Sequence, residues 1–182
     1  MRNTTLAKLL LTPHTAQWNL RGEIGEVSTE HFINLFRHVL KRPKLKNLVL
    51  FINSTGGDAS AGQIAYDILR KISKHIKVIT VNVGAADSAA FTIFSAGDER
   101  LALPYSTFTV HYSSLNGGGI NVQNINQHHK YLLGDKRWDD NLYKSLGYEF
   151  TRADKLLLDN GGDLVLTVEK AVKRNILTGH IT

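Results

Sequence analysis

The sequence predicts an α/β fold with mostly parallel strands, and three observations carry that prediction. Short, nearly continuous apolar runs at 47–52 (NLVLFI) and 77–83 (KVITVNV) have the length and β-branched content of strands buried on both faces. Between them lie segments whose apolar residues recur at spacings of three and four, the period of a one-sided helix. The resulting order is strand, helix, strand, glycine loop, helix, strand, turn, helix, the alternation that builds parallel sheets. In such sheets, sites gather where strands end at their carboxyl side.

Residues 1–15 lack periodicity and read as a flexible arm. Trp18 to Ile24 reads as the first strand. Ser28 is placed to cap a helix whose apolar face is Phe32, Leu35, Phe36 and Val39, and Pro43 closes that unit. After the run at 47–52 comes a loop, Asn53-Ser54-Thr55-Gly56-Gly57-Asp58, and then a helix burying Ile64, Ile68, Leu69 and Ile72. Gly84 turns the chain out of the next strand into a helix that starts near Ser88 and ends at Gly97. Arg100 to Leu103 and Thr107 to Tyr112 read as strands on either side of a Pro104 turn. Gly117 to Gly119 reads as a loop, followed by a long helix from about Val122 to Leu146 that stops at Gly147. Thr151 opens a shorter helix with Asp154 in capping-box position, broken by Gly161 and Gly162. Leu164 to Asn175 supplies a last strand and helix. No linker interrupts the chain, so 1–182 is read as one domain.

Composition narrows the function classes. The chain has 182 residues, a net charge of +6 and no cysteine, which excludes disulfides, thiolate metal sites and thiol catalysis. The densest basic cluster, Lys41, Arg42, Lys44 and Lys46 around Pro43, reads as a solvated turn, so no nucleic-acid partner is expected. The run Leu9 to Leu11 is too short for a signal-peptide core, and no stretch reaches the length of a membrane span. The expectation is a soluble cytoplasmic protein. The histidine spacings do not match a metal-binding helix motif, and no cofactor or metal is expected.

The chemistry concentrates in three segments. In Gly84-Ala85-Ala86-Asp87-Ser88-Ala89-Ala90 a strand feeds a tight turn and a serine sits where a helix begins. First-turn N–H groups lack intrahelical acceptors and carry partial positive charge, so such a serine can attack a carbonyl while nearby N–H groups stabilise the oxyanion. The plain alternative is a serine N-cap. Gly56-Gly57 lets the backbone approach a ligand closely, or forms an ordinary turn. His111 shares a strand face with Thr109 and is either a general base or a structural histidine. No G-x-S-x-G elbow is present, so an α/β-hydrolase fold is not supported.

Taken together, these segments resemble the proteolytic subunit of the Clp protease. That family has N-S-P-G-G after a buried strand, where this chain has Asn53-Ser54-Thr55-Gly56-Gly57. Its Y-D pair falls on Tyr66-Asp67, and its nucleophile segment, roughly G-x-A-x-S-M/A-G/A, falls on Gly84 to Ala90. Further matches are Ala96-Gly97, Arg100, Leu103-Pro104, Ser106 and Val110-His111. The resemblance runs over about 18–178 and is strongest across 47–111. It implies a ClpP/crotonase-like spiral of strand-strand-helix repeats with a long handle helix. It implies Ser88 as nucleophile, His111 as base, and the N–H groups of Gly57 and Ala89 as oxyanion hole. The pattern D-x-x-[LM]-[ST]-x-x-x-A falls on Asp163 to Ala171 and implies Asp163 as the orienting acid; without the resemblance, Asp163 reads as a turn residue. The expected activity is a serine endopeptidase acting on peptides or unfolded proteins. Homo-oligomeric rings, heptameric or otherwise, and docking of a AAA+ Clp ATPase also follow from the resemblance.

The sequence departs from the pattern in places. Thr55 replaces the loop proline. Asp87 stands where a small neutral residue is usual, placed to cap the helix, to weaken the positive field at the oxyanion site, or to compete with Asp163 for His111. Gly161-Gly162-Asp163 lacks the arginine that helps join two rings in the family, and the stretch before Trp18 does not match its axial-pore segment. Three other readings follow: a non-catalytic or regulatory subunit, a crotonase-type acyl-CoA enzyme on the related fold, and a Ser-Lys dyad. For the dyad, no lysine stands out as partner.

Overall fold

A computed structural model of the chain describes residues 6–114, 124–179 and 181. The elements in chain order are α1 (Leu6–Leu10), β1 (Thr15–Ile24), α2 (Glu26–Leu40), β2 (Asn47–Gly57), α3 (Ala59–Ile72), β3 (Lys77–Asp87), α4 (Ala89–Ser95), β4 (Glu99–Ala102), β5 (Thr107–Val110), α5 (Ile125–Ser145), α6 (Arg152–Asp159), β6 (Leu164–Thr167) and α7 (Val168–Lys173). The glycine loop expected at Gly117–Gly119 lies outside the described residues. The chain divides into two compact units: 1–110 with 165–182, and 111–164.

The first unit carries the sheet. Its strands run in the order β1-β2-β3-β5-β6, with β4 paired beside β3. The β1–β2, β2–β3, β3–β4 and β3–β5 pairs are all parallel. Helices connect most of these parallel strands, the α/β organisation expected from the sequence. Alternate residues of β2 face opposite ways. Val49 joins Ile79, Val81 and Leu101 in one cluster, against which Leu10 and Phe51 pack. The helices bury Phe32, Leu35 and Val39 from α2, Leu69 and Ile72 from α3, and Phe91 and Phe94 from α4. Phe108 of β5 meets Phe94 at 5.1 Å between ring centroids and Phe91 edge-on at 6.2 Å. Full burial of each such side chain is worth about 1.5–3 kcal/mol.

Three expectations about this unit are corrected. Ile64 of α3, expected on the buried face, is exposed. Ser28 does not cap α2, which starts at Glu26 straight out of an extended Gly25; Ser28 sits in the first turn and accepts from Gly25 N at 3.4 Å. The segment at 53–58 is not a free loop, because β2 continues through Gly57, with a register shift against β3 between Ile52 and Ser54.

That shift has a local cause. Strand β3 changes partner along its length: Ile79 to Asn82 pair with β4, and Ala85 to Asp87 pair with β5. Asn82 is fully buried at the branch. Its Nδ2 donates to Thr107 O at 2.7 Å, its Oδ1 accepts from Gly84 N at 3.0 Å, and its backbone carbonyl accepts from Leu103 N and Ser106 Oγ, both at 2.9 Å. On the β2 side, Asn53 Oδ1 accepts from Ala85 N at 3.1 Å. Side-chain amides thus take the place of ladder bonds where the strands diverge.

The second unit is built on α5 and α6. Thr151 caps α6 by accepting from Asp154 N at 3.1 Å, while Asp154 Oδ2 accepts from Thr151 N at 2.8 Å, the expected capping box. Helix α5 is capped by Leu146 and followed by Gly147, whose φ of +69° is the left-handed conformation glycine adopts freely, so its C-terminal stop is where the sequence placed it. Its buried side chains are Asp135, Asp139, Leu142 and Tyr143, and Tyr143 stacks on Tyr148 at 5.9 Å. Ile125, Tyr131 and Leu133 on the same helix are exposed.

Candidate active site

Ser88 follows the last residue of β3 and precedes the first residue of α4. Its backbone is at φ 54°, ψ −124°, a region that residues with a Cβ rarely occupy. Such a conformation costs about 1–3 kcal/mol and persists only where the surroundings impose it. Here they do: Ser88 N donates to Thr109 O at 2.8 Å, and Ser88 O accepts from Phe91 N at 2.9 Å. The side chain makes no capping bond to α4, so the hydroxyl is not spent on its own helix. Ala89 is the first helical residue, and first-turn N–H groups have no intrahelical acceptor.

The glycine segment is fitted against this turn. A Cβ on Gly56 would stand 2.6 Å from both Asp87 O and Ser88 Cβ, and 3.1 Å from Ala89 N. Gly56 and Gly57 have φ of +94° and +146°, and a Cβ on Gly57 would collide with the carbonyl of Ile24. Ser54, buried, locks the segment by donating to Gly22 O at 2.5 Å and accepting from Gly56 N at 3.1 Å. Helix α3 closes in from the other side, where Gly62 leaves room for Ala89. Ser88, Ala89 and the Gly56-Gly57 backbone are therefore brought together by the first unit alone.

Asp87 is the last residue of β3, paired with Thr109 on β5, and does not cap α4. Its Oδ1 is buried with no hydrogen-bond partner among the described residues.

His111 and Asp163 belong to the second unit and line one cavity of about 510 Å³, with Lys136 of α5, Asp159 of α6, and Leu132 and Leu158 on its apolar side. His111 Nδ1 lies 2.9 Å from Tyr112 O. A carbonyl only accepts, so Nδ1 is the donor, and in the neutral ring Nε2 keeps its lone pair. Among the described residues no hydrogen bond joins His111 to Asp163.

Tyr112, which sequence reasoning passed over, is tied into a cluster. Its hydroxyl donates to Asp140 Oδ1 at 2.7 Å, and Lys136 Nζ sits over its ring, 4.0 Å from the centroid. Lys136 also bridges Asp140 at 3.1 Å and Asp159 at 3.0 Å. Burial, and then the bond to Asp140, push the phenol up to about 12, so it remains a donor across the physiological range. Burial works against the charge on Lys136, but bonds to Asp159, Tyr112 and Asp140 outweigh it and hold the ammonium above its usual range. The i,i+4 spacing of Lys136 and Asp140 was a visible signal; the convergence of Tyr112 and Asp159 on that pair was not.

The sequence profile of the family described as Clp protease matches residues 6–177. The ATP-dependent Clp protease proteolytic subunit of Borrelia garinii subsp. bavariensis is 27% identical over 161 residues, covering 87% of this chain and 80% of its own. ATP-dependent Clp protease proteolytic subunit 2 of Pseudomonas aeruginosa is 28% identical over 144 residues, covering 77% of this chain and 68% of its own. The structure of a ClpP1 mutant from Listeria monocytogenes shares the fold, with a TM-score of 0.72 at 23% identity, covering 97% of this chain and 95% of that one. With the family profile running through both units, the chain belongs to the Clp protease family and is a ClpP-like peptidase.

Proposed function

We propose that the protein is an endopeptidase that cleaves peptide bonds through an acyl-enzyme on Ser88. The observation that carries this reading is the strained Ser88 backbone, held at a strand–helix turn with Gly56 packed against it. The Ser88 hydroxyl attacks the scissile carbonyl carbon and its proton passes to His111 Nε2. The oxyanion accepts from the N–H groups of Gly57 and Ala89. As the C–N bond breaks, His111 returns the proton to the leaving amine. A water then gives its proton to His111 and attacks the ester carbonyl; the bond from the acyl carbon to Ser88 Oγ breaks, His111 returns the proton to Oγ, and the acid is released. Asp163 orients His111 and stabilises the imidazolium as the triad's third member.

The two units act as one peptidase domain in this reading, since the family match spans both. A cytoplasmic setting, ring assembly, docking of a AAA+ Clp ATPase and unfolded-protein substrates are supported by family membership. Among the described residues no helix is long and apolar enough to cross a membrane.

Labelling with a fluorophosphonate tests the reading. Wild-type protein takes up one probe per chain on Ser88, and Ser88→Ala takes up none; folded wild-type protein that stays unlabelled, or equal labelling of the variant, overturns it. A second reading, a subunit without activity of its own, is favoured by Asp87 Oδ1, which is buried without a hydrogen-bond partner among the described residues. Unlabelled Ser88 in a complex with a labelled, related subunit would establish that reading.

A further inference from the structure

The bond from His111 Nδ1–H to Tyr112 O does what a triad carboxylate does for tautomer choice, since it leaves Nε2 as the acceptor. A main-chain carbonyl at a chain turn holds a ring only if its residue is itself fixed. Tyr112 is fixed by α5, with support from α6 through Lys136. Asp140 of α5 takes its hydroxyl, Lys136 of α5 lies on its ring, and Asp159 at the end of α6 takes a further bond from Lys136. None of these side chains serves the proposed chemistry directly, yet Lys136 and Asp159 line the His111 cavity.

We infer that Tyr112 is a positioning residue for the base: its carbonyl selects the Nδ1–H tautomer of His111, and the Lys136–Asp140–Asp159 cluster anchors its side chain so that the carbonyl stays in place. This inference rests on the reading of Ser88 and His111 as nucleophile and base. Two supports, Tyr112 O and Asp163, then share the task usually given to one carboxylate. The ionisable groups facing His111 are His129 and Lys136 from α5, Asp159 from α6, and Asp163. A test that changes none of these charges is therefore preferred.

Tyr112→Phe removes the bond to Asp140 and keeps the ring under Lys136; Tyr112→Leu removes both. The readout is the second-order rate of fluorophosphonate labelling as a function of pH, with the unfolding midpoint measured alongside. Tyr112→Phe should label about 2–10-fold more slowly than wild type, the range set by one net hydrogen bond. Tyr112→Leu should be slower again. In both, the acidic inflection should move to lower pH, because the imidazolium loses part of its fixed acceptor. Lowered stability with an unchanged rate and inflection in the folded protein makes Tyr112 merely structural and overturns the inference. So does a Tyr112→Leu variant that labels like wild type. If wild-type Ser88 is itself unlabelled at every pH, the peptidase reading fails, and this inference fails with it. Should Tyr112→Leu not fold, Tyr112→Phe compared with Asp140→Asn, which keeps an acceptor and should approach the wild-type rate, decides the matter.

Discussion

Replacing Gly56 with alanine separates two demands that the turn before α4 places on the chain. The first is conformational. At φ +94° a Cβ costs about 1–2 kcal/mol, as for other non-glycine residues on the positive side. The second is steric. The added methyl would lie 2.6 Å from Asp87 O and from Ser88 Cβ, and one of those two atoms is backbone. Overpacking of this kind costs about 1–3 kcal/mol. Gly56→Ala should therefore lose about 2–5 kcal/mol, a large share of the 5–15 kcal/mol typical of a domain. Gly22→Ala is the control: its φ is +78°, but nothing lies within 4 Å of its Cβ, so it should lose only the conformational part. Urea denaturation of the two variants gives the difference directly. Because the clash pushes on Ser88, fluorophosphonate labelling of folded Gly56→Ala should also slow by about 100-fold, the effect of misplacing a reacting group by about 1 Å. If Gly56→Ala is no less stable than Gly22→Ala and labels at the wild-type rate, the proposed fit of glycine to nucleophile turn is wrong.

Three further outcomes are expected. Ser54→Ala leaves Gly56 N and Gly22 O without their buried partner and should cost about 1–3 kcal/mol by urea denaturation. Ser88→Gly should be about 1 kcal/mol more stable than Ser88→Ala, because glycine relieves the φ of 54°, while both variants lose all probe labelling. Asp139 of α5 is raised to about 7 by burial and by the neighbouring Asp135 and Asp140, against a usual 3.8. Its folded value lies above its unfolded one, so its contribution is fully present below about pH 3.8 and is lost as pH rises to about 7, a few kcal/mol in all. Asp139→Asn should accordingly be more stable than wild type at pH 8, with the gap closing towards pH 4 in denaturation midpoints.

The sequence made the strands legible where side chains alone do the work. Residues 48–52 and, apart from Thr80, 78–81 are apolar because both faces of β2 and β3 are covered, and the runs announce it. The carboxyl halves of the same strands were unreadable. Asn53, Ser54 and Gly84 carry turn-like preferences, and the structure uses them as strand because their amides and hydroxyl, with the buried amide of Asn82, supply hydrogen bonds across a branched sheet. That arrangement depends on three strands meeting, which no local window contains. Ser28 failed for a smaller reason. An extended Gly25 let α2 begin directly from β1, so the serine fell inside the first turn.

The site divides in the same way. Ser88 was visible as a serine between a strand and a helix among small residues, but its strain comes from Thr109 O on β5, twenty-one residues on. Tyr112 was invisible because it acts on His111 through its main chain, where residue type leaves no mark. Only its tether has a sequence requirement, and that is spread over α5 and α6. The two halves are supported differently. The nucleophile turn is fixed by buried backbone bonds and by glycines with no room for a Cβ. His111, the proposed base, is held by the Tyr112 carbonyl, with Asp163 as its proposed second support, and that carbonyl rests on a cluster of partly exposed charges whose individual bonds are weak and screened by salt. Ser88 is thus built rigidly and His111 adjustably, so a perturbation that leaves the fold intact should act on the base before it acts on the nucleophile.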